Sequence, residues 1–404
     1  MGCFSNLIKL NMKKSIIIIS IILGVIAMGL GVYFAWKKSR AILTPPVSNQ
    51  QPTTYNQQPA NLQTTTGSQQ RLKILSDQPI FDYWIYSTSS AQVFYLNQEG
   101  KIFKVKENAD DEAITSEPIE NLQMIKSSSD GKWVLIKSGD FISPKFTIFN
   151  SETKIFELLP ENITAAAFSP DGSAPLTTSG SKIAYLEKPG SNSVISNLVI
   201  KDLIGAKPKT VKVLSFSQKD FDLDWISAEK IVLIPKPSAF YQASAWIVDT
   251  KKKTINPINP LGQTGSISPI NGLMIKWSRN GKVGLQFSSQ PEGREGRLNL
   301  INEEGVIQAG LDFITLPDKC FISEPKIYCA IPKDIPAKTI LPDDYLKKAV
   351  YFRDAIYQID INQNTITEVF TETEPAIDAT HLNLVNNKLL FINRYDDKLY
   401  SIEL

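Results

Sequence analysis

The sequence predicts an all-β fold, a seven-bladed β-propeller, set behind one transmembrane helix and a disordered linker; six or eight blades are the alternative counts. Three observations carry this. From Tyr83 to the C-terminus, a pattern of apolar run, tight polar turn and second apolar run recurs seven times. Strand-rich units repeating every 40 to 50 residues or so mark a propeller. Residues 16–36 are almost wholly apolar, and residues 41–70 are uncharged and rich in Pro, Gln and Thr. The expected division is a tail over 1–14, a helix over 15–36, a linker over 37–70 and the propeller over 71–404.

The inner hairpins read, in order, DYWIYSTSSAQVFYL (82–96), LQMIKSSSDGKWVLI (122–136), AAAFSPDG with SKIAYL (165–172 and 181–186), and DLDWISAEKIVLI (222–234). They continue as LMIKWSRNGKVGLQF (273–287), KCFISEPKIYCAI (319–331) and HLNLVNNKLLFI (381–392). In each, β-branched or aromatic residues flank a short turn of Asp, Gly, Asn, Ser, Glu or Lys. Tight hairpin turns demand the positive φ that Gly, Asn and Asp tolerate. Outer strands follow the same reading at KIFKVK, KFTIFN, KIFELL, NLVIKD, TVKVLSF, AWIVDT, RLNLIN, AIYQIDI and TITEVF. The last unit ends in KLYSIEL with only a third strand, which would leave an open edge. The donor of its fourth strand is expected to be RLKILS (71–76), the first strand-like run after the linker.

The unit FSPDG with SKIAYL, Phe168 to Gly172 and Ser181 to Leu186, resembles the repeat of TolB-type bacterial propellers, relatives of WD-repeat domains. An eight-residue insertion, SAPLTTSG (173–180), splits its turn. The resemblance implies the fold and a binding role. It transfers no catalytic residue.

Residues 16–36 number 21, with Ser20 the one strongly polar member. At 1.5 Å per residue this length spans the ~30 Å hydrocarbon core. Tyr33 and Trp36 stand where aromatic rings favour the interface. The stretch is longer than the apolar region of a cleaved signal peptide, and no small-x-small site follows before Lys37. Basic residues flank both ends, so charge alone does not orient the helix. The stalk-like linker favours a propeller outside the membrane, as does a cysteine pair. In KCFISEPKIYC the turn centres between Glu324 and Pro325, which sets Cys320 opposite Cys329. Opposed residues of antiparallel neighbours lie within disulfide range, and such a bond implies an oxidising compartment. The alternative is two small core residues that happen to face each other.

Composition excludes several functions. Residues 1–70 carry six basic and no acidic residues, leaving 37 basic against 41 acidic over the rest. A mildly acidic domain lacks the field that nucleic acid requires, so no nucleic-acid partner is expected. One histidine, His381, rules out a multi-histidine metal site, and no G-x-S-x-G elbow occurs. No cofactor and no metal are expected. His381 opens the first strand of the last unit, a structural position. Carboxylates are the remaining route to an enzyme, a glycosidase or lyase working at the channel mouth: Asp222 and Asp224 on one strand face, Asp343 and Asp344 at the start of an expected helix over Asp343–Val350. Convergence of these four would favour catalysis.

Binding is the leading expectation, for a protein or glycan partner of the bacterial envelope. Loops joining second and third strands gather on one face of a propeller. Here they are GDFISP (139–144), PKPSAFYQAS (235–244), SSQPEGREG (288–296) and a long insertion over 331–354. Phe141, Phe240, Tyr241, Arg294, Tyr345 and Arg353 are expected to rim that face, residue types enriched at interface hot spots. The alternative is that these aromatics pack the insertion onto the blades.

Overall fold

The computed structural model describes residues 72–404 except 108, 171–181, 191–192, 206, 218–219, 259–268 and 372–374. The expected membrane helix and linker lie outside the described residues, as does the insertion at 173–180. Among the described residues no helix is long and apolar enough to cross a membrane.

Seven antiparallel sheets follow one another in chain order, and together they form the seven-bladed propeller. Six are four-stranded. In blade 5 the segment Gln242–Ala243, which leaves blade 4 between its second and third strands, pairs with Ile270 and Asn271 as a fifth strand. Blade 7 takes Leu72–Ile74 as its outermost strand, in register with Tyr400–Ile402. Leu75 N–H donates to the Leu399 carbonyl at 2.7 Å, and Ile80 N–H to that of Asp397 at 2.6 Å. The ring is closed by both ends of the domain within one sheet, which removes the free edge that the last unit would otherwise expose.

Between neighbouring blades lie seven buried apolar clusters, one at each seam. The alternation of the strands explains this: one side of each sheet packs on the preceding blade and the other on the next. The seam of blades 1 and 2 is typical. Trp84 stacks on Phe94 at 5.7 Å and meets Phe149 edge-on at 6.0 Å. Its indole N–H donates to Ser151 Oγ at 2.9 Å, so burying the ring strands no donor.

Strand alternation also fixes two opposite faces. The turns between first and second strands lie on one, here called the turn face. The loops between second and third strands lie on the other, the loop face, together with the blade-to-blade connections. On the turn face three blades share a motif. Ser128 N–H donates to the Trp133 carbonyl at 2.8 Å while Trp133 N–H donates back to Ser128 Oγ at 3.0 Å. Ser278 and Val283 repeat the exchange at 2.7 and 3.2 Å, and Ser169 and Lys182 at 3.0 and 3.4 Å. SSDG (128–131) and SRNG (278–281) are thus the same turn in two blades, a likeness that the letters alone understate. Gly131 and Gly281 both sit at φ +68, and a Cβ there would lie 2.0 Å and 1.9 Å from the carbonyl oxygens of Ile85 and Ile226 on the preceding blade. Only glycine allows that approach.

Candidate binding face

Five irregular segments among the described residues carry the candidate surface of the loop face. In blade 2, the Asp140 carboxylate accepts the Ile142 N–H at 2.7 Å, a local turn that leaves Phe141 87% and Ile142 91% exposed. In blade 4, Phe240 and Tyr241 are 52% and 76% exposed, although their backbone is held firmly. Ala239 N–H donates to Asp343 Oδ2 at 2.7 Å, Asn271 Nδ2 to the Ala239 carbonyl at 2.8 Å, and Gly272 N–H to the Ser238 carbonyl at 2.7 Å. Blades 4, 5 and 6 therefore clamp one aromatic loop. Glu292 N–H reaches the Ala239 carbonyl at 3.2 Å, which brings the blade 5 loop and its exposed Arg294 alongside. Arg294 pairs with Glu292 at 2.9 Å.

The blade 6 insertion, 333–353, crosses this face. Its helix covers Asp343–Leu346, shorter than the expected Asp343–Val350, because Lys348 takes a left-handed φ of +55 that no helix continues through. Tyr345 is buried, and its expected place on the rim is corrected accordingly. It stacks on Phe352 at 5.8 Å, the Arg394 guanidinium lies 3.8 Å over its ring, and Arg394 Nη2 donates to its carbonyl at 2.8 Å. Beneath it, fully buried Lys319 donates to Asp354 at 2.7 Å and to Asp378, while Asp378 also accepts from Arg394 at 2.7 Å and from Phe352 N–H at 3.0 Å. Two cations and two carboxylates balance there. Burial works against the Lys319 charge but is outweighed by Asp354, Tyr345 and Asp378, so the ammonium is held above its ordinary range. Burial lifts the Asp354 carboxyl to about 6, with Lys319 opposing. Such a set is stable when complete and costly when broken.

Arg353, at the foot of the insertion, is exposed, and its carbonyl accepts the Lys333 N–H at 2.8 Å. The structure gathers Phe240, Tyr241 and Arg294 on touching loops, while Phe141 stands two blades away from Phe240. Sequence reasoning missed Ile142, Tyr351 and Tyr395. Tyr351 and Tyr395 stack at 5.5 Å on the same face, 39% and 46% exposed, with Arg394 4.9 Å beneath Tyr351. The signal for Tyr395 was its place in NRYDD, the equivalent loop of blade 7, too short to attract notice.

The channel is charged, and its ion pairs join blades that are not always neighbours. Lys126 of blade 2 reaches both Asp222 oxygens on blade 4 at 2.8 Å, past the small Ala165–Ala167 stretch of blade 3. Lys276 donates to the Cys320 carbonyl at 2.7 Å. His381 Nδ1 lies 2.8 Å from Asp82 Oδ1 across the closing seam, and that carboxylate raises the imidazole pKa. Burial raises Asp224 to about 6. Asp343 accepts the Ala239 N–H and Asp344 the Ile340 N–H at 2.8 Å, so neither bonds to the partner of Asp222. Among the described residues, no three His, Cys, Asp or Glu side chains are grouped as metal ligands. In blade 6, Cys320 and Cys329 are register partners joined by a buried disulfide, Cα atoms 4.1 Å apart.

No family model matches the chain, and no curated protein does. Solved structures do. An oligogalacturonate lyase from Vibrio parahaemolyticus superimposes with a TM-score of 0.52 at 9% identity, over 82% of this chain and 91% of that one. The C-terminal WD40 domain of Sif2 gives 0.47 at 12% identity, over 83% of this chain and 99% of that one. Tricorn protease gives 0.48 at 10% identity over 83% of this chain, which spans only 34% of the protease chain. At these identities the likeness extends to the propeller fold alone.

Proposed function

We propose that this chain is a membrane-anchored, extracytoplasmic propeller of TolB-like, WD-repeat-like kind that holds a protein partner of the bacterial envelope on its loop face. One observation carries the reading: Phe141, Ile142, Phe240, Tyr241, Tyr351 and Tyr395 are all exposed on that face, from loops whose backbones are pinned by hydrogen bonds. Aromatic side chains on a rigid frame lose little entropy on binding, which is the composition of a hot-spot surface. The 21-residue apolar stretch at 16–36 supports the anchor, and the buried Cys320–Cys329 disulfide supports an oxidising compartment. Asp343 and Asp344 accept the Ala239 and Ile340 N–H groups, whereas Asp222 pairs with Lys126, which also acts through space on Asp224, so no described bond joins the two pairs of carboxylates into one site.

The test is capture from envelope extract by the full-length protein and by Phe141→Ala with Tyr241→Ala. Loss of a specific captured protein, with thermal stability within about 0.5 kcal/mol of the parent, is the expected outcome. Undiminished capture would remove the loop face from consideration.

A further inference from the structure

At the turn-face mouth of the channel lies a cavity of about 230 Å³ that the loop-face reading does not use. At ~30 Å³ per water molecule this is room for about eight waters, or for one small ring compound. The recurring turn creates its wall. The second residue of each Ser-x-Asp/Asn-Gly turn faces the opening: Ser129 in blade 2, Pro170 in blade 3 and Arg279 in blade 5. Asp224 and Asn383 complete the polar lining, and Trp225 and Trp277 give it apolar surface.

The chemistry of the lining is specific. Asp224 and Arg279 supply one formal charge of each sign, so neither a cation nor an anion is favoured by the wall as a whole. Only burial and through-space charge act on the Asp224 carboxylate, and no described residue donates a hydrogen bond to it. A largely buried carboxylate without donors is an acceptor waiting for hydroxyl groups. Across the mouth, Arg279 Nη2 donates to Asn383 Oδ1 at 3.1 Å, which turns the Asn383 amide N–H₂ group away from that bond and leaves it as a donor. Serine hydroxyls from two blades add groups that can donate or accept. Acceptors and donors alternating around an uncharged, water-sized space beside indole rings suit a neutral polyol.

We infer that this cavity is a second binding site, independent of the loop face, for a neutral sugar ring, such as the terminal residue of a glycan. Asp224 and Asn383 would take adjacent hydroxyls of the ring, one as acceptor and one as donor. The site faces the side from which residues 1–71 join the domain, because Leu72 pairs with Ile402 at the turn-face end of its strand.

The experiment titrates the full-length protein in detergent micelles with glucose, galactose and N-acetylglucosamine separately, reading tryptophan fluorescence. At least one sugar should give a saturable change with a Kd on the order of 1 mM. Asp224→Ala and Asn383→Ala should each weaken it about tenfold or more while the melting temperature stays near that of the parent. Phe141→Ala and Tyr241→Ala should leave it unchanged, so that failure here and failure of partner capture are separate results. The inference is overturned if none of the three sugars saturates, or if Asn383→Ala and Asp224→Ala bind as the parent does.

Discussion

The two faces of the ring are made in opposite ways. The turn face repeats: two blades use one serine-anchored turn whose glycine presses onto the carbonyl of the blade before, and Ser169 of a third makes the same pair of bonds to its second strand. The loop face does not repeat at all. Its five segments differ in length, and they are joined by side chains drawn from distant parts of the chain: Asp343 with Ala239, Arg394 with Tyr345, Lys319 with Asp354 and Asp378. A repeated backbone motif gives stability that each blade shares, whereas a side-chain network gives a single surface that no other blade could present. The difference teaches where this protein is free to vary.

That contrast can be broken first at its most expensive point. Lys319→Met leaves Asp354 and Asp378 buried without their shared cation, and denaturant unfolding should show a loss of about 3–5 kcal/mol. Partner capture should fall with it, since the insertion rests on this set. A loss below 1 kcal/mol or so would mean that water reaches the carboxylates and that the network is not the anchor. Gly281→Ala attacks the other face. With φ at +68 and Ile226 O 1.9 Å from the new Cβ, a cost of about 1–3 kcal/mol is expected from strain alone, and loop-face capture should survive in the folded fraction. Equal damage to capture from both substitutions would dissolve the distinction between the faces.

The smallest effect sharpens the comparison at the closing seam. With one histidine in the chain, proton NMR should show a single imidazole titration, its midpoint above the ordinary 6.5 because Asp82 favours the charged form. A histidine whose folded pKa is raised adds stability that is fully present below its unfolded pKa and lost as pH rises through the folded value. Asp82→Asn should bring the midpoint down and flatten that dependence. A midpoint unmoved by the substitution would show that the pair seen at 2.8 Å is not formed in solution.

The repeated face was the legible one. Hairpins with Asp, Gly or Asn at the corner announce themselves locally, and the missing strand of the last unit pointed to RLKILS because a ring tolerates no open edge. Strands of two residues, Glu112–Ala113 and Gln242–Ala243, were not legible, since no periodicity can be read over so short a span. The outer strands Thr254–Pro257 and Ile307–Leu311 were passed over, their exposed faces weakening the apolar pattern. Tyr345 illustrates the harder limit. An aromatic residue in a long insertion gives no sign of which way it faces, and the groups that bury it, Lys319 and Arg394, lie on either side of it at long range. Phe141 and Arg294 are exposed in loops shaped by local bonds, Asp140 to Ile142 and Glu292 to Arg294, and local features are what a sequence displays.

The strand that closes the ring also has a mechanical meaning. Leu72–Ile74 enters at the turn face and runs toward the loop face, antiparallel to Lys398–Glu403. A pull on the segment before Leu72, against a partner gripped on the loop face, would act along the strand axis. The hydrogen bonds of that seam would then be sheared together instead of being unzipped one after another. The same few bonds withstand more tension in that direction than in any other, so the ring is closed along the line on which a tethered, loaded domain would be stretched.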